Sequence, residues 1–218
     1  MTEKKNPTAA QMKEYRDLRR SMTTSSDYEK VQAFENEYDI FTKVFTENGK
    51  MGVKDAAGEV LVPALYDEVG CTFADYCKGF AVPVALNDKM ALASQDGKGT
   101  LKTGFDYDHI VFDDCYYVLV KEGKTGLATG GGSIIIPAEM DKMYTPINDL
   151  VAFEKDGKFG FAMIGYNLIT EPEYDSYDIE TEWEYLQVVK DGVTGYIDEQ
   201  GCFTTDEDER FFNAACDM

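Results

Sequence analysis

Asn48-Gly49-Lys50-Met51-Gly52 is a phrase the chain writes five times. The other copies are Asn87-Asp88-Lys89-Met90-Ala91, Glu122-Gly123-Lys124-Thr125-Gly126, Asp156-Gly157-Lys158-Phe159-Gly160 and Asp191-Gly192-Val193-Thr194-Gly195. Their second residues lie 39, 35, 34 and 35 positions apart, and a near-constant period of that size marks an array of supersecondary units. Asn-Gly and Asp-Gly pairs supply the positive φ angles of a two-residue primed turn, so each phrase reads as the tip of a β-hairpin.

Outward from each tip the grammar repeats too. A β-rich run precedes it, as in Tyr117-Val118-Leu119-Val120 or Leu150-Val151-Ala152-Phe153, and a second run follows, as in Phe159-Gly160-Phe161-Ala162-Met163. A further turn then leads into a third strand expected to end at proline: Val60-Leu61-Val62-Pro63, Ile134-Ile135-Ile136-Pro137 and Leu168-Ile169-Thr170-Glu171-Pro172. The unit closes with Tyr66-Asp67, Tyr107-Asp108, Met140-Asp141 or Tyr174-Asp175. The expectation is an all-β array of about five three-stranded antiparallel units over residues 45–218, either an open curved solenoid or propeller-like.

A phrase of the form Gly-Lys-x-Gly, a turn, Val-Ile-Pro and Tyr-Asp resembles the bacterial WG (or KWG) β-repeat. Residues 48–69 follow it most closely, 122–141 and 156–175 well, and 191–203 in part. The tryptophan that names the repeat is replaced by Met51, Met90, Thr125, Phe159 and Thr194, and the second copy has Ala91 and Lys102 where the pattern has glycine and proline. The resemblance implies an all-β binding array with no common activity and no fixed ligand.

Residues 1–44 read differently. Thr8 with Gln11 forms a capping-box signature, and Met12, Tyr15, Leu18 and Met22 follow at helical spacing. Ser26 with Glu29 suggests a second box, with Tyr28, Val31, Phe34 and Tyr38 on one helix face. A short helical N-terminal cap covering strand edges is expected.

The formal charge is −20, from 41 acidic and 21 basic residues. Residues 1–20 carry a net +3, leaving −23 on the remainder. That field repels phosphate backbones and argues against nucleic acid; it attracts a basic protein. No run approaches 18 consecutive apolar residues, and Met1 to Pro7 lacks a secretory pattern, so a cytoplasmic location and no membrane association are expected. Five irregularly spaced cysteines read as reduced, buried thiols.

No constellation for chemistry emerges. His109 is the one histidine, which excludes a histidine cage. Gly130-Gly131-Gly132-Ser133 lacks a Walker lysine and falls where other copies have their second turn. Asp206-Glu207-Asp208-Glu209 lacks EF-hand spacing. No catalytic residue, cofactor or metal is expected. The segment that exceeds background holds Glu171, Glu173, Tyr174, Asp175, Tyr177, Asp178, Glu180, Glu182, Trp183 and Glu184, combining acids with aromatic contact area and no base. The reading is a non-catalytic interaction protein for a basic partner, in its concrete form a cytoplasmic immunity protein neutralising a toxin. A carboxylate-dependent hydrolase of glycan or peptide, and a purely structural segment, stand as alternatives.

Overall fold

The computed structural model describes residues 4–70, 73, 79–113, 115–144, 150–164, 168–180, 185–198 and 200–207. Strands dominate it, behind two N-terminal helices, and they form five small antiparallel sheets. The chain divides into two compact units, residues 1–122 with 127–135 and residues 123–126 with 136–218.

In the first unit, α1 (Ala9–Ser21) starts at Thr8 with the expected Thr8–Gln11 capping box. Helix α2 (Ser25–Glu37) starts two residues earlier than expected: Thr24 is the cap and Asp27 its reciprocal partner. Thr24 wins because Asp27, three residues on, reaches back to its N–H, while Ser25 and Ser26 enter the helix. Tyr28 consequently points to solvent, half exposed. Met12 and Tyr15 of α1, Val31 of α2, Ile40 and Ala56 form one core cluster, so the helices dock on the turn at Asp55–Ala57. They do not bury the side chains of the first strand, β1 (Lys43–Glu47), which stay largely exposed.

The first sheet has the order β1-β2-β3, with β2 Lys50–Lys54 and β3 Val60–Tyr66. The second has the order β4-β5-β6, with β4 Glu68–Val69, β5 Val82–Leu86 and β6 Lys89–Ala93. The third, in the order β10-β9-β8-β7, comprises β7 His109–Asp113, β8 Tyr116–Lys121, β9 Lys124–Thr129 and β10 Ile134–Met140.

The second unit takes in the start of β9 and most of β10 and holds two further four-stranded sheets. One runs β11-β12-β13-β14, comprising Lys142–Met143, Leu150–Lys155, Lys158–Met163 and Leu168–Ile169. The other runs β15-β16-β17-β18, comprising Ser176–Glu180, Tyr185–Lys190, Val193–Ile197 and Phe203–Thr204. Phe161, Met163, Tyr174, Leu186, Val188 and Ile197 make its core.

All five tips have the primed geometry: both turn residues carry positive φ at Asn48-Gly49, Asn87-Asp88, Glu122-Gly123, Asp156-Gly157 and Asp191-Gly192. Two expectations need correction. Three sheets have four strands, because the residues after Tyr-Asp leave their own unit and pair with the next hairpin. Proline also does not end the third strand: Pro63 and Pro137 lie inside β3 and β10. Both are edge strands, and β3 bulges there, Met51 facing Tyr66 while Val53 faces Val62.

Candidate functional site

The hand-over from one unit to the next is built the same way four times. The phrase lysine reaches the aspartate that closes its own unit: Lys50 to Asp67 at 2.5 Å, Lys89 to Asp108 at 2.6 Å, Lys124 to Asp141, and Lys158 to Asp175 at 2.5 Å. The second oxygen of that aspartate accepts a backbone N–H from the following hairpin tip. Asp67 takes Asn87 N at 3.0 Å, Asp108 takes Glu122 N at 2.6 Å, Asp141 takes Asp156 N at 2.7 Å and Asp175 takes Gly192 N at 3.3 Å. Each aspartate also donates its own N–H to the next hairpin's first strand, at Ala85, Val120, Glu154 and Val189. One residue thus ties two successive repeats together.

These carboxyls are held below the ordinary carboxylate range, first by the lysine hydrogen bond and then by the tip N–H. Because the folded pKa is depressed, the clamps contribute fully above the unfolded carboxylate pKa and lose that contribution as pH falls through the folded value. Asp108→Asn is therefore expected to lower the urea midpoint at pH 7. Its difference from the parent should shrink below about pH 4 and vanish at still lower pH; a pH-independent gap would contradict the clamp.

The ten residues of the acidic segment separate into distinct environments. Tyr174 is fully buried, its ring against Phe161 and Phe203, so it is a core residue and not a contact residue. Its position opposite Phe159 in the repeated bridge turns it inward, as Tyr66 and Tyr107 are turned in their own units. Asp175 is a clamp, and Glu173 pairs with Lys190 at 2.7 Å. Tyr177 is half-buried against Phe159 and Phe161. Glu171 and Asp178 are exposed. Glu180 lies in β15 opposite Tyr185, while Glu182, Trp183 and Glu184 fall outside the described residues. Among the described residues of the segment, Glu171 and Asp178 are exposed acids while Tyr174 belongs to the core.

Burial pushes the Tyr174 phenol up to about 12, and its hydroxyl finds no hydrogen-bond partner among the described residues. Tyr174→Phe is expected to stabilise the protein by about 1 kcal/mol, because an unsatisfied buried hydroxyl is removed with its shape retained. Chemical denaturation checks this, and a loss of stability would place a partner on that oxygen.

The remaining candidates stay outside any site. His109 is exposed on β7, and the described residues contain no group of three potential metal ligands. Gly130–Ser133 forms the expected second turn, Thr129 N donating to Ser133 O at 2.8 Å. Cys115 and Cys202 are exposed free thiols, contrary to the expectation of burial, because both sit in turns between strands. The other three cysteines lie outside the described residues. No described helix is long and apolar enough to cross a membrane.

The clamp was not read from the sequence, although its signal is there. The phrase lysine and the closing aspartate keep a separation of 17 residues in three copies and 19 in one.

No protein-family model matches the chain, and no curated protein matches it. Among solved structures, dihydro-heme d1 dehydrogenase NirN, in complex with DHE, matches with a TM-score of 0.33 and 14% identity, over 75% of this chain and 42% of that one. PorZ, a bacterial surface component of the type-IX secretion system of Porphyromonas gingivalis, matches with a TM-score of 0.27 and 12% identity, over 75% of this chain and 25% of that one. The chain spans less than half the length of either, and likenesses this low carry no argument about function.

Proposed function

We propose that the chain is a non-catalytic interaction protein of the WG β-repeat kind, whose acidic surface takes a basic protein partner. The observation that carries this reading is charge that the protein does not balance internally. Residues 45–218 hold 33 acids against 13 bases. Lys50, Lys89, Lys124, Lys155, Lys158 and Lys190 are already engaged by the chain's own carboxylates. Among the described residues, Glu68, Asp88, Asp106, Glu122, Asp156, Glu171, Asp178 and Asp191 are exposed acids, and an excess of this sign makes a field that steers a cationic protein and fixes its orientation. An immunity protein that masks a basic toxin enzyme in the cytoplasm is the concrete form of this reading.

A hydrolase acting through paired carboxylates would use an acid whose pKa is raised. Among the described residues, the carboxylates with a clear shift, Asp27, Glu37, Asp39, Asp67, Asp96, Asp108, Asp141 and Asp175, are moved down by hydrogen bonds and lysines.

The test is capture of partners from source-cell lysate on the immobilised protein, at low and at high salt, with the retained proteins identified by mass spectrometry. A basic protein released by salt is expected, and Glu171→Lys with Asp178→Lys should slow its association by about tenfold. An empty eluate, or a partner indifferent to both salt and charge reversal, overturns the reading.

A further inference from the structure

We propose that the outer edge of β1 is a docking site for an extended segment of a partner polypeptide, led by an aspartate and carrying an apolar residue two positions later. This site is separate from the acidic surface and does not rest on that reading.

Four sheets show what the edge is built to receive. Each hairpin's first strand is flanked by the strand that follows the closing aspartate, always in one register. Glu68 faces Ala85 and Val69 faces Val84; His109 faces Val120 and Ile110 faces Leu119. Lys142 faces Glu154 and Met143 faces Phe153; Ser176 faces Val189 and Tyr177 faces Val188. In each, the aspartate N–H meets the carbonyl two residues before the tip, and its carboxylate meets a tip N–H.

Among the described residues the first sheet has no such strand. Its order is β1-β2-β3 among the described residues, and β1 is the equivalent of β5, β8, β12 and β16. Tyr38-Asp39 precedes it, but Asp39 stands 9 residues before Asn48, whereas the other aspartates stand 14 to 20 residues before the tip they cap. That length leaves no room for a strand and its return. Asp39 is turned aside, accepting from Phe41 N at 3.1 Å and pairing with Lys43 at 3.0 Å.

The vacancy is visible in burial and in polarity. Val84, Leu119, Phe153 and Val188 are at most 2% exposed, while Phe45 at the same position is only half-buried, and neighbouring Val44 is 44% exposed. Glu47 and Lys50 close the hairpin as a pair, so alternation directs the N–H and C=O of Thr46 and Val44 away from β2. The tip N–H of Asn48 meets no carboxylate among the described residues. Lys50, the lysine at the tip end of this hairpin, is paired with Asp67, and Lys43 with Asp39, so the leading carboxylate would be held by the main-chain N–H of Asn48 and not by a side-chain cation. Strand addition of this kind takes affinity from main-chain hydrogen bonds and specificity from alternate side chains. In this register the leading aspartate would face Thr46 O and Asn48 N, and the apolar residue would lie beside Phe45.

The probe is a peptide with the sequence of residues 107–111, Tyr-Asp-His-Ile-Val, which stops short of Thr42, whose N–H donates to Phe73 O at 2.8 Å. It is titrated into the full chain by calorimetry, with amide exchange followed at Val44 and Thr46. Binding that protects both amides is expected, about tenfold weaker for the peptide carrying Asp108→Asn. Val44→Pro in the protein, which removes one outward N–H from an edge strand, should abolish binding with an unchanged unfolding midpoint. Should that variant fail to fold, the two peptides still decide. Equal affinity for both peptides, or slow exchange of Val44 and Thr46 in the free monomer, overturns the proposal. A self-assembled oligomer that Val44→Pro dissolves overturns the choice of a foreign partner in favour of a second copy.

Discussion

Gly126→Ala lowers stability by about 3 kcal/mol, read as a fall of roughly 6–12 °C in the unfolding temperature. A Cβ at Gly126 would stand 2.6 Å from Ile136 O, 2.6 Å from Ala138 N and 2.7 Å from the Pro137 carbonyl carbon. All three are backbone atoms of β10, so no side chain can swing aside and the strand itself must move. Gly52 meets the same obstacle from Val62 O at 2.6 Å and Ala64 N at 2.8 Å. In these two copies the last glycine of the phrase and the proline one turn later are one device, because the proline strand approaches so closely that only a hydrogen leaves space for it; at Gly160 the space is taken instead by the Phe153 ring at 2.4 Å, and at Gly195 by Thr204 O at 2.4 Å. The second copy tests this internally. It has no proline in its third segment, where Thr103 Oγ1 accepts from Leu92 N at 2.9 Å, and there the phrase ends in Ala91, fully buried. Ala91→Gly should cost about 1 kcal/mol, through backbone entropy alone. Comparable losses at the two positions would mean that the glycine serves the turn rather than the bulge.

That pairing explains what could be read in advance. The tips were legible because positive φ at two adjacent residues restricts composition, so Asn-Gly and Asp-Gly declare themselves. The Thr8 cap was legible for the same local reason. Pro63 was misplaced at a strand end because proline's missing donor says that a strand has a free side, and the sequence does not say whether that side is its end or its edge. The strand after the closing aspartate was missed because it pairs with the next hairpin and not its own, and because at Glu68-Val69 and Lys142-Met143 it is too short to show a period. The candidate site was legible as composition but not as geometry. Seven acids in 14 residues announce a charge, yet whether Tyr174 faces solvent or core depends on its bridge to Phe159, a long-range pairing. The clamp depends likewise on contacts 14 to 20 residues apart.

Arg16→Ala is expected to cost about 3 kcal/mol, and Asp55→Asn to restore most of it. Asp55 is 2% exposed in the turn after β2, where Oδ1 accepts from Glu59 N at 2.7 Å. Its other oxygen faces Arg16 Nη1 of α1 at 3.7 Å, and the arginine side chain is itself largely buried. Removing the guanidinium strands a desolvated carboxylate, which costs more than the pair contributes. Asparagine at position 55 keeps the acceptor for Glu59 N and removes the charge, so the double variant escapes that penalty. A double-mutant cycle in urea should give a coupling of at least about 1 kcal/mol; additive losses would show that the two side chains act independently. The cycle also bears on how the helices are held. Met12 and Tyr15 share a core cluster with Ala56, the residue beside Asp55, so the ion pair and the apolar contact fasten the same turn. If the helical signal in Arg16→Ala melts ahead of the sheets while Asp55→Asn rejoins the two transitions, this turn is what makes helices and first repeat unfold together.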